Sequence, residues 1–290
     1  MSWKKKRVKK NQNRKRYFII LSIICISIVF LFLLLFLCLK LVNKEEKFKI
    51  EPRLDSIDRF VLDEDSYFDS MGWIRVQGTN IDYPIIQASR EALNADDFAF
   101  PVNLEDYSWS LNTDTKFHNH IEIMGHNIFN LSSQPKIKSS KFHRFESLMA
   151  FVYYDFAKKN QYVQLSIDGK EYIYKIFAVE FIPTAQTTSF LSVDDYSKKD
   201  QDEYIQYMLD NSIYDYRVKV DGNDDIISLI TCTRFFGIDE DVQFYVNARL
   251  LHKGENTNIT RVNKSSKYKS IEKKLKGDGQ NESDNEEDSL

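Results

Sequence analysis

The sequence predicts a mixed, mainly β domain, an antiparallel barrel or sandwich with peripheral helices, held behind one transmembrane helix. Three observations carry this. Residues 17–39, YFIILSIICISIVFLFLLLFLCL, run for more than twenty residues without a charge, long enough to cross a bilayer as a helix. Residues 162–183, YVQLSIDGKEYIYKIFAVEFIP, are two alternating β-rich runs around Asp168-Gly169, the chemistry of a two-residue hairpin. Two more apolar, β-branched runs follow, DIISLITC and VQFYVNARLL. Hydrophobic residues make up 42% of the 290 and aromatics 14%, enough for a real core.

The net charge of -3 conceals a segregation. Residues 1–16 carry nine Lys or Arg and no acid, and the last thirteen residues carry six acids and no base. A nucleic-acid binder carries its basic residues on the folded part, so nucleic acid is not an expected partner. Basic residues ahead of an apolar run place residues 1–16 in the cytoplasm and the rest outside. A cleavable leader has a shorter apolar core and a small-residue cleavage site. Here Lys40-Leu41-Val42-Asn43 follows directly. The alternative is a long leader that is removed. The expected organisation is a cytoplasmic basic segment at 1–16, an anchor at 17–39, a stalk at 40–53, one folded domain at 54–252, and a charged tail at 253–290. The tail has few large apolar groups and is expected to be disordered. Its functional reading is contact with anionic wall polymers, and its plain reading is a solvated tail.

Within the domain, Leu54, Ile57, Phe60 and Val61 recur at helical spacing, which predicts a helix over much of 53–70. Trp73, Ile74 and Val76 form a strand. Gly78-Thr79-Asn80 is a turn. A second strand from Ile81 is broken by Pro84, an edge or bend signal. Ile121 and Ile123 alternate with polar residues, and Gly125 then marks a turn. Phe142, Phe145, Leu148 and Met149 make one helical face over 139–158, with Ser139 and Ser140 as caps. Residues 184–196 are a loop. Residues 197–211 are a helix with Tyr204, Ile205, Met208 and Leu209 inward. YRVKV, residues 216–220, is a further strand.

Three cysteines are present: Cys25 and Cys38 in the apolar span, and Cys232. No intrachain disulfide can therefore form outside the membrane. Cys232 is either a small buried hydrophobe or a nucleophile. A nucleophile needs a base to hold it as thiolate and donors for the oxyanion. Of His118, His120, His126, His143 and His252, His126 follows a strand and a glycine, where a side chain can be aimed into a cleft. His118 and His120 form an HxH pair, but no nearby ligand completes a metal site of convincing spacing.

The segments SLITC and EIMGHN resemble the cysteine and histidine motifs of sortases, the membrane-anchored cysteine transpeptidases of Gram-positive bacteria. GWIRVQGTNIDYPIIQ is similar to the N-terminal strand region of class B sortases, as is the helix followed by IYDYRVKV. The resemblance covers residues 54–252. It implies an eight-stranded sortase-type β-barrel with N-terminal and peripheral helices. It implies Cys232 as nucleophile, His126 as acid/base partner and Thr231 in the oxyanion neighbourhood. Secreted proteins bearing a C-terminal sorting signal would be cleaved after Thr. Their acyl groups would pass to a peptidoglycan stem or cross-bridge amine, or to a pilin lysine. The enzyme would sit in the cell membrane with its catalytic domain facing the wall. No cofactor is implied, and calcium independence is expected. One position departs from the pattern. Where the family carries an arginine before the last apolar run, this chain has Gln243. Gln243 lacks the charge and the fork of arginine. Arg234, two residues past Cys232, is a candidate substitute if the strand continues, because alternate residues then share a face. Its other reading is a surface salt bridge with Asp239, Glu240 or Asp241. The departure also leaves open a degenerate sortase fold that binds sorting peptides or wall components without turnover. A papain-like hydrolase has the opposite Cys-then-His order. The loop 183–195 is the candidate substrate-facing wall.

Overall fold

The computed structural model describes residues 21–36, 47–50, 70–86, 103–104, 120–142, 144–167, 170–186 and 198–277. The chain divides into two units, residues 1–46 and 47–290. In the first, residues 21–36 form a helix, α1. Among the described residues no helix is long and apolar enough to cross a membrane; the ends of the expected span, 17–20 and 37–39, lie outside them. The helix expected over 53–70 also lies outside them, as does the Asp168-Gly169 turn itself.

The second unit is a sheet that closes on itself. Its strands are β1 (Ser70–Val76), β2 (Asp82–Ile86), β3 (Asn103–Leu104), β4 (His120–Met124), β5 (Tyr162–Ile167), β6 (Lys170–Pro183), β8 (Ile226–Thr233) and β9 (Val242–Leu250), in the order β1-β2-β3-β4-β8-β9-β6-β5. Seven of these are full strands, not eight. The eighth place is held by the two residues of β3, which meet β2 at one pair, Ile86 opposite Asn103. The sheet is also not wholly antiparallel, since β2–β3 and β4–β8 run parallel. β5 and β6 pair up to Ile167 opposite Lys170, the register of a two-residue hairpin. Pro84 does not break β2; it stands opposite Trp73 of β1. Its missing N–H is tolerated because β3 touches β2 only at Ile86.

The barrel is filled by alternate residues of its strands, such as Ile74, Ile123, Leu165, Ile176, Leu229 and Val246. The helix expected over 139–158 is shorter and tighter. It is a 3-10 helix, Phe145–Val152, followed by one α-turn, α2 (Tyr154–Ala157). All eight residues of the 3-10 segment are buried. An element buried on every side has no amphipathic stripe from which to read its period. α3 (Lys198–Asn211) packs Tyr204, Ile205 and Met208 on the sheet's other face with Ile226, Ile230 and Tyr245. Leu209, expected inward, is 39% exposed, and the polar Gln201 is buried in its stead, its Nε2 donating to the Asp224 carbonyl at 2.6 Å.

Two expectations at the domain's ends fail. Residues 216–220 are not a strand. Arg217 has φ 55, a left-handed conformation that ends an extended run, so the strand here is only β7 (Tyr214–Asp215). The segment from Lys253 is not a disordered tail as far as Gly277. It pairs β10 (Asn263–Lys264) with β7 and ends in α4 (Tyr268–Gly277). Val262, Tyr268 and Ile271 are buried in the main core. A few apolar residues at helical spacing, 268 and 271, are enough to dock a helix that is otherwise basic. Residues 47–50 are likewise not all stalk. Phe48 stacks on Tyr162 at 5.5 Å, and its N–H donates to the Thr257 carbonyl.

Candidate active site

The site is set by the parallel pairing of β4 and β8. His120 stands opposite Ile226, and the register runs unbroken to Met124 opposite Ile230. There β4 ends, and the chain runs on through Gly125 to His126 while β8 runs on to Cys232 and Thr233. Three hydrogen bonds tie the two segments beyond that point. Gly125 N–H donates to the Ile230 carbonyl at 3.1 Å, Thr231 Oγ1 to the Gly125 carbonyl at 2.7 Å, and Asn127 Nδ2 to the Cys232 carbonyl at 3.0 Å. The histidine segment is thus tied residue by residue to the cysteine strand.

Gly125 is required for this approach. A Cβ there would meet the Phe145 ring at 2.4 Å, inside the contact distance of any real side chain. Asn127 and Asn130 fix the chain beyond His126. Asn130 N–H donates to Asn127 Oδ1 at 3.0 Å, and Asn130 Nδ2 reaches the Lys136 and Glu146 carbonyls. The His126 carbonyl accepts from Phe145 N–H at 3.0 Å. His126 itself is exposed, as is Cys232, which forms no disulfide.

Along β8, Leu229 and Thr231 face the barrel core while Ile230 and Cys232 face the side covered by α3. Cys232 therefore stands at the open end of an apolar face. Thr231 is fully buried and its hydroxyl proton is committed to Gly125. It braces the histidine segment and offers no hydroxyl to an oxyanion. On the other side of β8, Cys232 pairs directly with Gln243 of β9. Gln243 Oε1 accepts from the Tyr245 hydroxyl at 3.2 Å. Arg234 does not continue the strand. β8 ends at Thr233, Arg234 N–H donates to the Leu131 carbonyl, and its carbonyl accepts from Gly237. The rule that would aim Arg234 with Cys232 therefore lapses. Arg234 is exposed, and among the described residues no ion pair joins it to Asp239, Glu240 or Asp241. Phe235 and Phe236 pack on Phe181 at about 5 Å and pin the loop that leaves the site. Of the loop 183–195, residues 187–195 lie outside the described residues. His118 and His143 do too. Among the described residues no three His, Cys, Asp or Glu side chains cluster to hold a metal ion.

Sequence reasoning missed Asn127, Asn130 and Tyr245. Asn127 adjoins His126, and Tyr245 shares a strand face with Gln243, but neither spacing names a hydrogen-bond partner.

Below the site lies a buried polar chain. Asn247 Nδ2 donates to Glu180 Oε1, Ser228 Oγ donates to Asn247 Oδ1, and Ser228 Oγ meets Tyr204 Oη at 2.9 Å and His120 Nε2 at 2.8 Å. Burial pushes the Glu180 carboxyl well above its ordinary range, against the opposing Asn247 bond. The folded state thus holds a proton that the unfolded chain releases. Stability from this group is full below the ordinary carboxylate range and falls as pH climbs toward the folded value. Glu180→Gln is expected to flatten that decline. Thermal melts of both chains from acid to neutral pH check it, and parallel curves refute it.

No protein-family model matches the chain, and no curated protein matches it by sequence. Solved structures do. Clostridium perfringens sortase B aligns with TM-score 0.51 at 24% identity, over 69% of this chain and 98% of that one. The chain has a sortase-family fold. A Staphylococcus aureus sortase B–substrate complex aligns at 0.51 and 18% identity, over 74% of this chain and 91% of that one. A sortase B complexed with triglycine aligns at 0.51 and 18%, over 74% and 92%. The sortase fold accounts for the curled sheet with helices laid on it, in which β8 with Cys232 near its end lies between β4 and β9.

Proposed function

We propose that this chain is a sortase-type cysteine transpeptidase. The observation that carries the reading is the bonding of the segment around an exposed His126 to the strand that bears an exposed Cys232, through Gly125 and Asn127. The pairing suits a nucleophile and its proton donor. The Cys232 thiolate attacks the carbonyl carbon of Thr in a C-terminal sorting signal, the carbon whose bond to the next residue's nitrogen is to be broken. The tetrahedral oxyanion collapses, the C–N bond breaks, and the leaving amine takes a proton from His126. An incoming amine, from a peptidoglycan stem or cross-bridge or from a pilin lysine, gives up a proton to the now neutral His126 and displaces the thiolate. The acyl group ends in an amide on that amine. Two neighbours of the same fold were solved with a substrate and with triglycine, which supports a peptide donor and an amine acceptor here by analogy. The segment 17–39 would hold the enzyme at the membrane with this domain on the wall side.

The test is intact-mass spectrometry of the full chain in detergent with a panel of sorting-signal peptides. The expected result is an acyl mass gain, lost on hydroxylamine treatment and mapped to Cys232. A folded protein with a titratable Cys232 thiol and no adduct from any peptide would overturn the reading. It would favour the second one, a sortase fold that binds such peptides without turnover, whose motivating observation is a neutral Gln243 beside Cys232.

A further inference from the structure

A catalyst of this kind needs a donor for the oxygen that becomes negative when sulfur attacks the acyl carbon. Resting on the transpeptidase reading, we propose that Gln243 donates that hydrogen bond through its amide nitrogen and that Tyr245 is the positioning residue that turns the amide the right way round.

Three observations converge. Gln243 is the direct cross-strand partner of Cys232, and such partners hold their Cβ atoms about 4.5–5.5 Å apart on one face. An acyl group on Sγ is therefore within reach of a glutamine side chain. Gln243 is half-buried, open enough to meet a substrate and covered enough for its hydrogen bond to count. Its Oε1 accepts from the Tyr245 hydroxyl. An amide has one acceptor end and one donor end, and only the donor end serves an oxyanion. With Oε1 held by Tyr245, both Nε2 hydrogens are turned away from that hydroxyl, and among the described residues Nε2 makes no hydrogen bond within the protein. Tyr245 can hold this pose because it is itself fixed: it is 2% exposed and packed with Phe177, Tyr204 and Ile230 under α3. Thr231 and Arg234 do not compete for the role. The Thr231 hydroxyl is committed to Gly125, and Arg234 lies past the end of β8.

The two residues form a unit that a guanidinium would not need. Arginine presents five N–H donors and no acceptor, so it has no wrong end to be turned away. Tyr245 should therefore matter when residue 243 is glutamine and cease to matter when it is arginine. A purely structural tyrosine would matter equally in both.

The experiment measures single-turnover thioester formation by the full chain with a sorting peptide that acylates it. Gln243→Ala is expected to slow acylation by about 10²–10³-fold. Tyr245→Phe, which keeps the ring and removes the hydroxyl, is expected to slow it by roughly tenfold. Gln243→Arg should restore the rate in the Tyr245→Phe background to that of Gln243→Arg alone. The proposal is overturned if Gln243→Ala acylates as fast as the parent, or if Tyr245→Phe costs the same factor beside arginine as beside glutamine. If the parent forms no thioester but Gln243→Arg does, glutamine is not the donor, while the reading of Cys232 and His126 stands. If neither chain acylates with any peptide, the transpeptidase reading itself falls, and the proposal with it.

Discussion

Cys232→Ala is expected to abolish every acyl adduct, and His126→Ala to slow adduct formation by about 10²–10⁴-fold, in each case with the fold intact. Both side chains are exposed at the ends of their elements, so truncating them opens no cavity in the core. The restraints that bring the two segments together are made by their neighbours. Gly125 and Asn127 flank His126, and Ile230 and Thr231 precede Cys232. Loss of activity with unchanged thermal stability is therefore the signature to look for. If His126→Ala acylates at the parent rate, the imidazole is not the proton donor. A matching fall in melting temperature would mean instead that His126 is structural.

A chain ending at His252 is expected not to fold stably. The segment beyond it supplies Val262, Tyr268 and Ile271 to the core. Burial of Val262 and Ile271 alone contributes about 3–6 kcal/mol, against a whole-domain stability of about 5–15 kcal/mol. The polar losses add to this. Gln161 is fully buried, and both ends of its amide are satisfied by Thr260. Tyr162 donates to the Asn258 carbonyl at 2.6 Å, and Tyr154 to that of Val262 at 2.9 Å. Arg249 is 4% exposed and forks onto Glu255 at 2.8 and 3.0 Å. Removing one partner of such a pair costs about 3–5 kcal/mol, because the other charge stays buried. Calorimetry and limited proteolysis of the truncated chain beside the full one decide the matter. A cooperative melt at the full chain's temperature would refute the expectation.

The same segment shows where sequence reading reaches its limit. Its composition is that of a solvated tail, and composition is the ground for expecting one. What orders it is a few long-range contacts: Tyr268 and Ile271 on the core, Asn263 and Lys264 beside β7. Such contacts leave no local periodicity long enough to read. The β1, β4, β5–β6, β8 and β9 strands are legible because each alternates or is bounded by glycine and turn residues. The strand expected at 216–220 fails because Arg217 takes a left-handed φ that no propensity assigns to arginine. Cys232 and His126 can be picked out by strand ends and a glycine. That Gln243 of β9 stands opposite Cys232 of β8 comes from pairing, and pairing is what a single sequence does not disclose. Arg234 looks suitable only while β8 is free to run on.

The register that defines the site joins Thr231 to Gly125 across 106 residues of chain. Long-range parallel pairing is among the slow events of folding. Until it happens, Cys232 would lack the imidazole that the proposed mechanism needs beside it. On the transpeptidase reading, a chain whose sheet is still open would be chemically quiet. A thiol that gains reactivity as the sheet closes would then report on a slow step of folding.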